Sequence, residues 1–318
     1  MKNKKSSFDF LVLGAGGTGL AAAMYAARLG LKTLVLGHTS STELPIGGMI
    51  TTTHMVENYP GFTAISGPEL AKKIEWHARS YKLVAIKNEK ATEIKKMKNG
   101  FHVKTNKSGY TTKTILFATG TKLKKLNLPG SKEFENRGVS YCALCDAPLF
   151  KKKIVAVVGG SDNAAKYALL LSEYAKKVYI IYRGKEIYPE LVDYERIKKN
   201  KKIEVVNNTN VIKINGSRSV NSVLLDKKYK GSNKLKVDGI FVAIGHIVLS
   251  DLAKPLGVKL NNKGEIKINH MTSETNIPGV FAAGDVTDNH FKQLIIGVAD
   301  GCTAAYGAYE YISGKKIA

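Results

Sequence analysis

The sequence predicts an α/β protein of two Rossmann-like, three-layer nucleotide-binding domains, the second inserted into a discontinuous first. Three observations carry this reading. A strand, glycine turn, helix and strand occur twice, about 140 residues apart. Apolar strands closing on a small residue and glycine follow each copy. A last strand of the same kind comes only after the second copy, so the first domain has to resume there.

The elements follow in chain order. Phe8 to Leu13 (FDFLVL) is a short apolar run, followed by GAGGTG, the small-residue helix LAAAMYAARLG and the strand LKTLVL at Leu31 to Leu36. Ile115 to Gly120 (ILFATG) returns the chain to the sheet. The second copy opens at Lys153 to Val158 (KIVAVV), runs through GGSDNAAKYALLLSEYA and reaches KVYII at Lys177 to Ile181. Gly239 to Gly245 (GIFVAIG) closes it. Ile277 to Asp285 (IPGVFAAGD) then gives the final strand, with a helix from about Gln293 to Ile312. The predicted division is residues 1–121 and 246–318 for the first domain and 122–245 for the insert.

At 318 residues and 44% apolar composition the chain is of the size at which cores divide. No apolar run reaches the roughly 18 residues of a membrane span. Three cysteines, an odd number, argue against an extracellular disulfide framework and for a reducing cytoplasm. The net charge of +23 raises nucleic acid or an anionic membrane as partners. Yet only six of the cations are arginine, and the lysines spread from Lys2 to Lys316, which reads as a solvated surface. The clusters Lys151 to Lys153, Lys198 to Lys202 and Lys227 to Lys230 can steer an acidic protein.

Gly14-Ala15-Gly16-Gly17-Thr18-Gly19 matches G-x-G-x-x-G between a strand and a helix, where glycines let backbone amides approach a pyrophosphate. The acidic residue expected at the end of the second strand, to hold a ribose hydroxyl, is replaced by Gly37-His38. Cys142-Ala143-Leu144-Cys145-Asp146 is a C-x-x-C followed directly by a carboxylate. That spacing lets two sulfurs meet as a disulfide and exchange with others, and Asp146 is placed to shuttle the proton involved. A zinc site is the rival reading, but it needs two further ligands. Cys302 sits in the packed stretch GCTAAYGAY, and no two of the seven histidines have ligand spacing, so no metal is expected.

With these motifs in order, the sequence resembles the low-molecular-weight thioredoxin reductases over essentially its whole length. The resemblance rests on Gly14 to Gly19, Gly47-Gly48 with Thr51 to Thr53, Glu57-Asn58-Tyr59-Pro60-Gly61, Ala118-Thr119-Gly120, Cys142 to Asp146, and Gly284-Asp285 with Lys292-Gln293-Leu294. It implies a homodimeric enzyme whose first domain binds FAD and whose insert binds NADPH and carries the cysteine pair. Electrons would pass through FAD and the Cys142–Cys145 disulfide to thioredoxin or a similar protein. Gly14, Gly16, Gly17 and Gly19 would hold the pyrophosphate, with Gly37, Gly48, Ala118, Gly120 and Gly284 around the cofactor. Asn58 would contact the flavin region, Asp285 the ribityl chain, and Lys292, Gln293 and Leu294 the isoalloxazine. Cys145 would face the flavin and Cys142 would attack the substrate disulfide. A domain rotation, hinged near Gly120 to Leu126 and Gly245 to Val248, follows from the same resemblance.

Two departures bear on the electron donor. The nicotinamide-type fingerprint here is Gly159-Gly160-Ser161-Asp162-Asn163-Ala164, with a serine where backbone normally meets phosphate. The family's histidine and three arginines for the NADPH 2′-phosphate are reduced to Arg183: Tyr182 replaces the histidine, Gly184 and Tyr188 replace two arginines, and Glu186 and Glu190 add negative charge. NADPH is therefore expected to serve poorly, leaving NADH, a reduced deazaflavin or an acidic donor such as reduced ferredoxin. The competing readings are a flavin or ferredoxin-linked reductase on this scaffold, which would lack the cysteine pair, and a basic nucleic-acid or membrane-surface binder.

Overall fold

The computed structural model describes residues 7–37 and 44–315; His38, Lys2 and Lys316, named above, lie outside the described residues. The chain forms two compact units, one drawn from residues up to Lys122 and from Val248 onward, the other running Leu123–Ile247.

In the first unit the strand Ser7–Leu13 lies between Thr33–Gly37 and Gly109–Phe117, parallel to both. Its apolar residues face both sides, as a central parallel strand requires. Phe10 and Val12 pack with Ala22, Ala23 and Ala26 of the helix Gly17–Arg28, while Leu11 and Leu13 pack with Ile94, Phe101 and Ile266 on the opposite face. Val280–Ala282 adds a parallel strand beside Gly109–Phe117, and Val84–Asn88 extends the other edge. Alanines let the first helix approach Leu294–Ser313 closely. A Cβ on Gly301 would stand 2.5 Å from the Thr18 carbonyl oxygen, so only glycine permits this crossing. The helix Gly67–Arg79 is capped by Ser66, whose Oγ accepts from the Glu69 amide at 3.3 Å.

The second unit repeats the layering by its own means. Its parallel sheet runs in the order Ile203–Val206, Lys177–Ile181, Ile154–Val158, Gly239–Val242, Val139–Ser140. Val155, Val157, Val178, Ile180 and Phe241 face the helices, with Ala164, Ala168 and Leu171 of Asp162–Tyr174 against them. Ala156, Ile181, Ile240 and Val242 face an antiparallel meander, Val211–Gly216, Val220–Tyr229 and Ser232–Lys236. Among the described residues no helix is long and apolar enough to cross a membrane.

Candidate functional site

Cys142 and Cys145 are joined as a disulfide, with Cα atoms 5.4 Å apart. The turn that carries them hangs from the edge strand Val139–Ser140, which pairs with Gly239–Val242 in the register Ser140 to Phe241. Cys142 caps the single helical turn Ala143–Asp146: its Sγ accepts from the Cys145 amide at 3.2 Å. Cys142 is half-buried and Cys145 is exposed. Tyr167, pushed above the usual phenol range by burial, donates to the Tyr141 carbonyl at 2.7 Å and ties the turn to the helix behind it. The Asp146 carboxylate accepts from Ser140 Oγ at 2.6 Å.

In the first unit, the three fingerprint glycines do three different things. Gly14 turns with φ 115° beside the Ala118 carbonyl. A Cβ on Gly19 would collide with the Gly14 carbonyl oxygen, so Gly19 sets the close approach of helix to strand. At Gly16, by contrast, the nearest atom to a built Cβ is 3.9 Å away. Gly16 is the residue before the helix, with extended backbone and no side-chain cap for the amides that follow. A tight turn, an unobstructed middle position and uncapped helix amides are what a pyrophosphate requires, so these residues fit FAD.

Other predicted residues gather around this turn. Gly37 lies against Ala15, Gly48 against Gly16, Leu294 against Gly17 and Gly284 against Thr18. Asn58 Nδ2 donates to Gln293 Oε1 at 3.2 Å. Lys292 Nζ is directed to the carbonyls of Asp285 and Thr287, at 3.1 and 2.6 Å, and to the Glu265 carboxylate at 3.0 Å. Its ammonium thus anchors the Asp285 turn. Gly120, at φ 61°, has no atom within 4 Å of a built Cβ, so that direction is open space.

The glycine turn of the second unit keeps the tight first position, with Gly159 at φ 147° beside the Ala243 carbonyl, and differs at the positions that follow. Ser161 precedes its helix with φ −91° and ψ −178°, nearly the backbone of Gly16 at −78° and 177°, so its side chain projects where Gly16 has none. The ring of Tyr182 lies over Gly160: a Cβ there would stand 2.5 Å from Cδ2. The Tyr188 amide donates to the Gly160 carbonyl at 2.8 Å, and Tyr188 meets Tyr182 edge-on at 5.8 Å. Asp162 Oδ1 accepts from the Glu190 amide at 2.7 Å. Arg183 is exposed, and Asn163 is half-buried beside Ala164 on the same helix. Residues 182–190 thus fold back onto the turn that a dinucleotide would need.

The family pattern described as pyridine nucleotide-disulphide oxidoreductase matches residues 8–301. The chain belongs to the pyridine nucleotide-disulphide oxidoreductases. Within this family it is similar to the thioredoxin reductase of Treponema pallidum, 36% identical over 97% of this chain and 98% of that one. The T. acidophilum thioredoxin reductase structure is 36% identical over 98% of this chain and 100% of its own, with a TM-score of 0.90. A ferredoxin-flavin thioredoxin reductase from Clostridium acetobutylicum is 32% identical over 98% and 100%, with a TM-score of 0.52. This oxidoreductase is a flavoprotein that exchanges dithiols with disulfides, with FAD as its cofactor.

Two features of this oxidoreductase escape sequence reasoning. Ser140 contacts Asp146 and the Cys142 amide; the pattern Ser-x-Cys-x-x-Cys-Asp was the available signal. Tyr182 reads in sequence only as a lost histidine, whereas its ring covers Gly160.

Proposed function

We propose that the protein reduces a thioredoxin-like protein disulfide in the cytoplasm, as a homodimer, with a donor other than NADPH. The disulfide between Cys142 and Cys145, set beside a carboxylate, carries this reading. FAD, when bound, stores the two electrons of each turnover. Gly14, Gly16, Gly17 and Gly19 would hold its pyrophosphate; Gly37, Gly48, Ala118, Gly120 and Gly284 would border it; and Asn58, Asp285, Lys292, Gln293 and Leu294 would orient the remainder.

The chain's own part is thiol chemistry. In the reduced pair the Cys145 amide at the Cys142 sulfur favours thiolate at Cys142, because a donated hydrogen bond stabilises the charged form. That thiolate attacks one sulfur of the partner disulfide, forming a mixed disulfide and expelling a partner thiolate. Cys145 then attacks Cys142 Sγ, releasing the second partner thiol and restoring the Cys142–Cys145 bond. Two thiols on the enzyme are oxidised, one disulfide on the partner is reduced, and Asp146 carries a proton from cysteine to leaving group. Leu149, 71% exposed three residues beyond Asp146, offers the partner an apolar contact, and the exposed Lys151 to Lys153 attract acidic surface.

The crowded second glycine turn supports a protein donor over a dinucleotide. Reduced ferredoxin fits best, being acidic, and the C. acetobutylicum relative is described as a ferredoxin-flavin enzyme; a reduced deazaflavin is the small-molecule option. Hinges near Gly120 to Leu126 and Gly245 to Val248 would let the cysteine unit serve flavin and partner in turn. Anaerobic titration with reduced ferredoxin, NADPH, NADH and reduced deazaflavin, following flavin bleaching and then thioredoxin thiols, tests the whole reading. A protein that bleaches with a donor but releases no thioredoxin thiols would refute it.

A further inference from the structure

We infer that Ser140 is a positioning residue for disulfide exchange: its hydroxyl fixes the Asp146 carboxylate against the Cys142–Cys145 turn. This rests on Asp146 being the proton carrier proposed above. Ser140 is 5% exposed and belongs to the strand Val139–Ser140, so the sheet sets its position. Asp146, in contrast, ends a single helical turn capped by Cys142, and its carboxylate accepts the Ser140 hydroxyl.

A serine hydroxyl has one proton and two lone pairs. Two acceptors face that proton, Asp146 Oδ2 at 2.6 Å and the Cys142 carbonyl at 3.3 Å, and the much shorter contact takes it. A lone pair accepts the Cys142 amide at 3.1 Å. One buried oxygen therefore ties the carboxylate to the backbone of the attacking cysteine. The distance from proton carrier to sulfur is fixed on the redox turn itself, and the carboxylate cannot swing out to water while that bond lasts. At 2.6 Å the contact lies toward the short end of the range for hydroxyl-to-oxygen hydrogen bonds.

A merely structural serine, capping the turn through the Cys142 amide alone, would matter equally whether or not Asp146 works. The discriminating experiment is a double-mutant cycle on the FAD-loaded full chain, with thioredoxin as substrate and a saturating artificial electron donor. Ser140→Ala is expected to lower kcat about 10-fold to 100-fold, the scale of a hydrogen bond to a charged group, with KM little changed. Against an Asp146→Asn background the same change should cost less than about twofold, because the partner is already disabled. Ser140→Thr, which keeps the hydroxyl, should recover most of the rate. Melting temperatures of all variants identify any that fail to fold, in which case Ser140→Thr and Ser140→Cys against both backgrounds supply the comparison. Equal losses from Ser140→Ala in both backgrounds, or full activity of Ser140→Ala beside a slow Asp146→Asn, overturn the role of Ser140 alone. An Asp146→Asn enzyme as fast as wild type overturns the proton carrier and the positioning role with it.

Discussion

The amide of Cys145 donates to the sulfur of Cys142 at 3.2 Å, so the first cysteine of the pair is the capped one. Under the function proposed above, this asymmetry makes Cys142 the nucleophile and Cys145 the resolver. Cys145→Ser should leave Cys142 able to attack and unable to be released, so a stable mixed disulfide with thioredoxin accumulates. Cys142→Ser should trap much less. Both variants should keep FAD, since neither residue lies in the unit that carries the first glycine turn. Mass spectrometry of the trapped species decides it, and stronger trapping by Cys142→Ser would reverse the assignment.

Asp146→Asn should slow thioredoxin reduction by about 10² to 10⁴, the usual contribution of a positioned acid–base group. The isosteric amide preserves the shape of the turn while removing the proton carrier. Rates across the accessible pH range, compared with wild type, measure the effect.

The division of labour between Gly16 and Gly19 gives a paired test of the FAD site. Gly16→Ala meets nothing closer than 3.9 Å in the fold and has ordinary backbone angles, so stability should hold while FAD affinity falls. Gly19→Ala drives a methyl group into the Gly14 carbonyl and should destabilise the apoprotein by about 1–3 kcal/mol, typical of overpacking. Apoprotein melting and FAD titration, run on both variants, separate the two outcomes.

The parallel sheets were legible because Phe10 to Leu13 and Ile154 to Val158 pack on both faces and read as continuous apolar runs. The antiparallel pieces were not. Ala91–Met97 buries only Ile94, and Ser232–Lys236 buries none of its five residues, so lysine-rich exposure hides both strands. The redox turn was readable from Cys142, Cys145 and Asp146 because sulfur spacing is local. The Ser140 contact and the fold of residues 182–190 over Gly160 were not, since each depends on side-chain direction set by the finished turn. The lysine clusters likewise look uniform in sequence, yet Lys202 donates to the Ser172 carbonyl and Lys230 pairs with Glu204, while Lys151 to Lys153 stay exposed.

Glu204 sits among Lys177, Lys230 and the Tyr229 hydroxyl, and the hydrogen bond from Lys177 leads these partners in holding its carboxyl down at about 2. A carboxyl whose folded value lies below its ordinary 4.5 adds stability above that value and loses it as pH falls toward 2. Glu204→Gln should therefore lower the melting temperature of the second unit at neutral pH, and the deficit should shrink between about pH 4.5 and 2. Because the pair is partly exposed, added salt should narrow the difference too. A deficit independent of both pH and salt would show that packing, not charge, is responsible.

The donor prediction draws on both sequence and geometry. NADPH differs from NADH by a ribose 2′-phosphate, normally held by forked arginines. Arg183 alone remains of that set, and each lost charged hydrogen bond costs about 1.5–3 kcal/mol, so losing two weakens NADPH roughly 10² to 10⁴-fold. Lys185 restores part of this and Glu190 opposes it, whereas Glu186 is engaged by the Tyr194 hydroxyl. Beyond charge, Ser161 projects from backbone that matches Gly16, and Tyr182 covers Gly160, so the pyrophosphate common to NADPH and NADH is obstructed as well. Flavin bleaching by micromolar NADPH should therefore be slow and unsaturated, NADH should do little better, and reduced ferredoxin should bleach rapidly with a rate that falls as salt rises. Restoring charge by Tyr188→Arg, at a position whose side chain is exposed, should improve NADPH less than the same change combined with Ser161→Gly, because the first obstruction is steric. Rapid, saturable bleaching of the unaltered protein by micromolar NADPH would show that residues 182–190 yield to the dinucleotide.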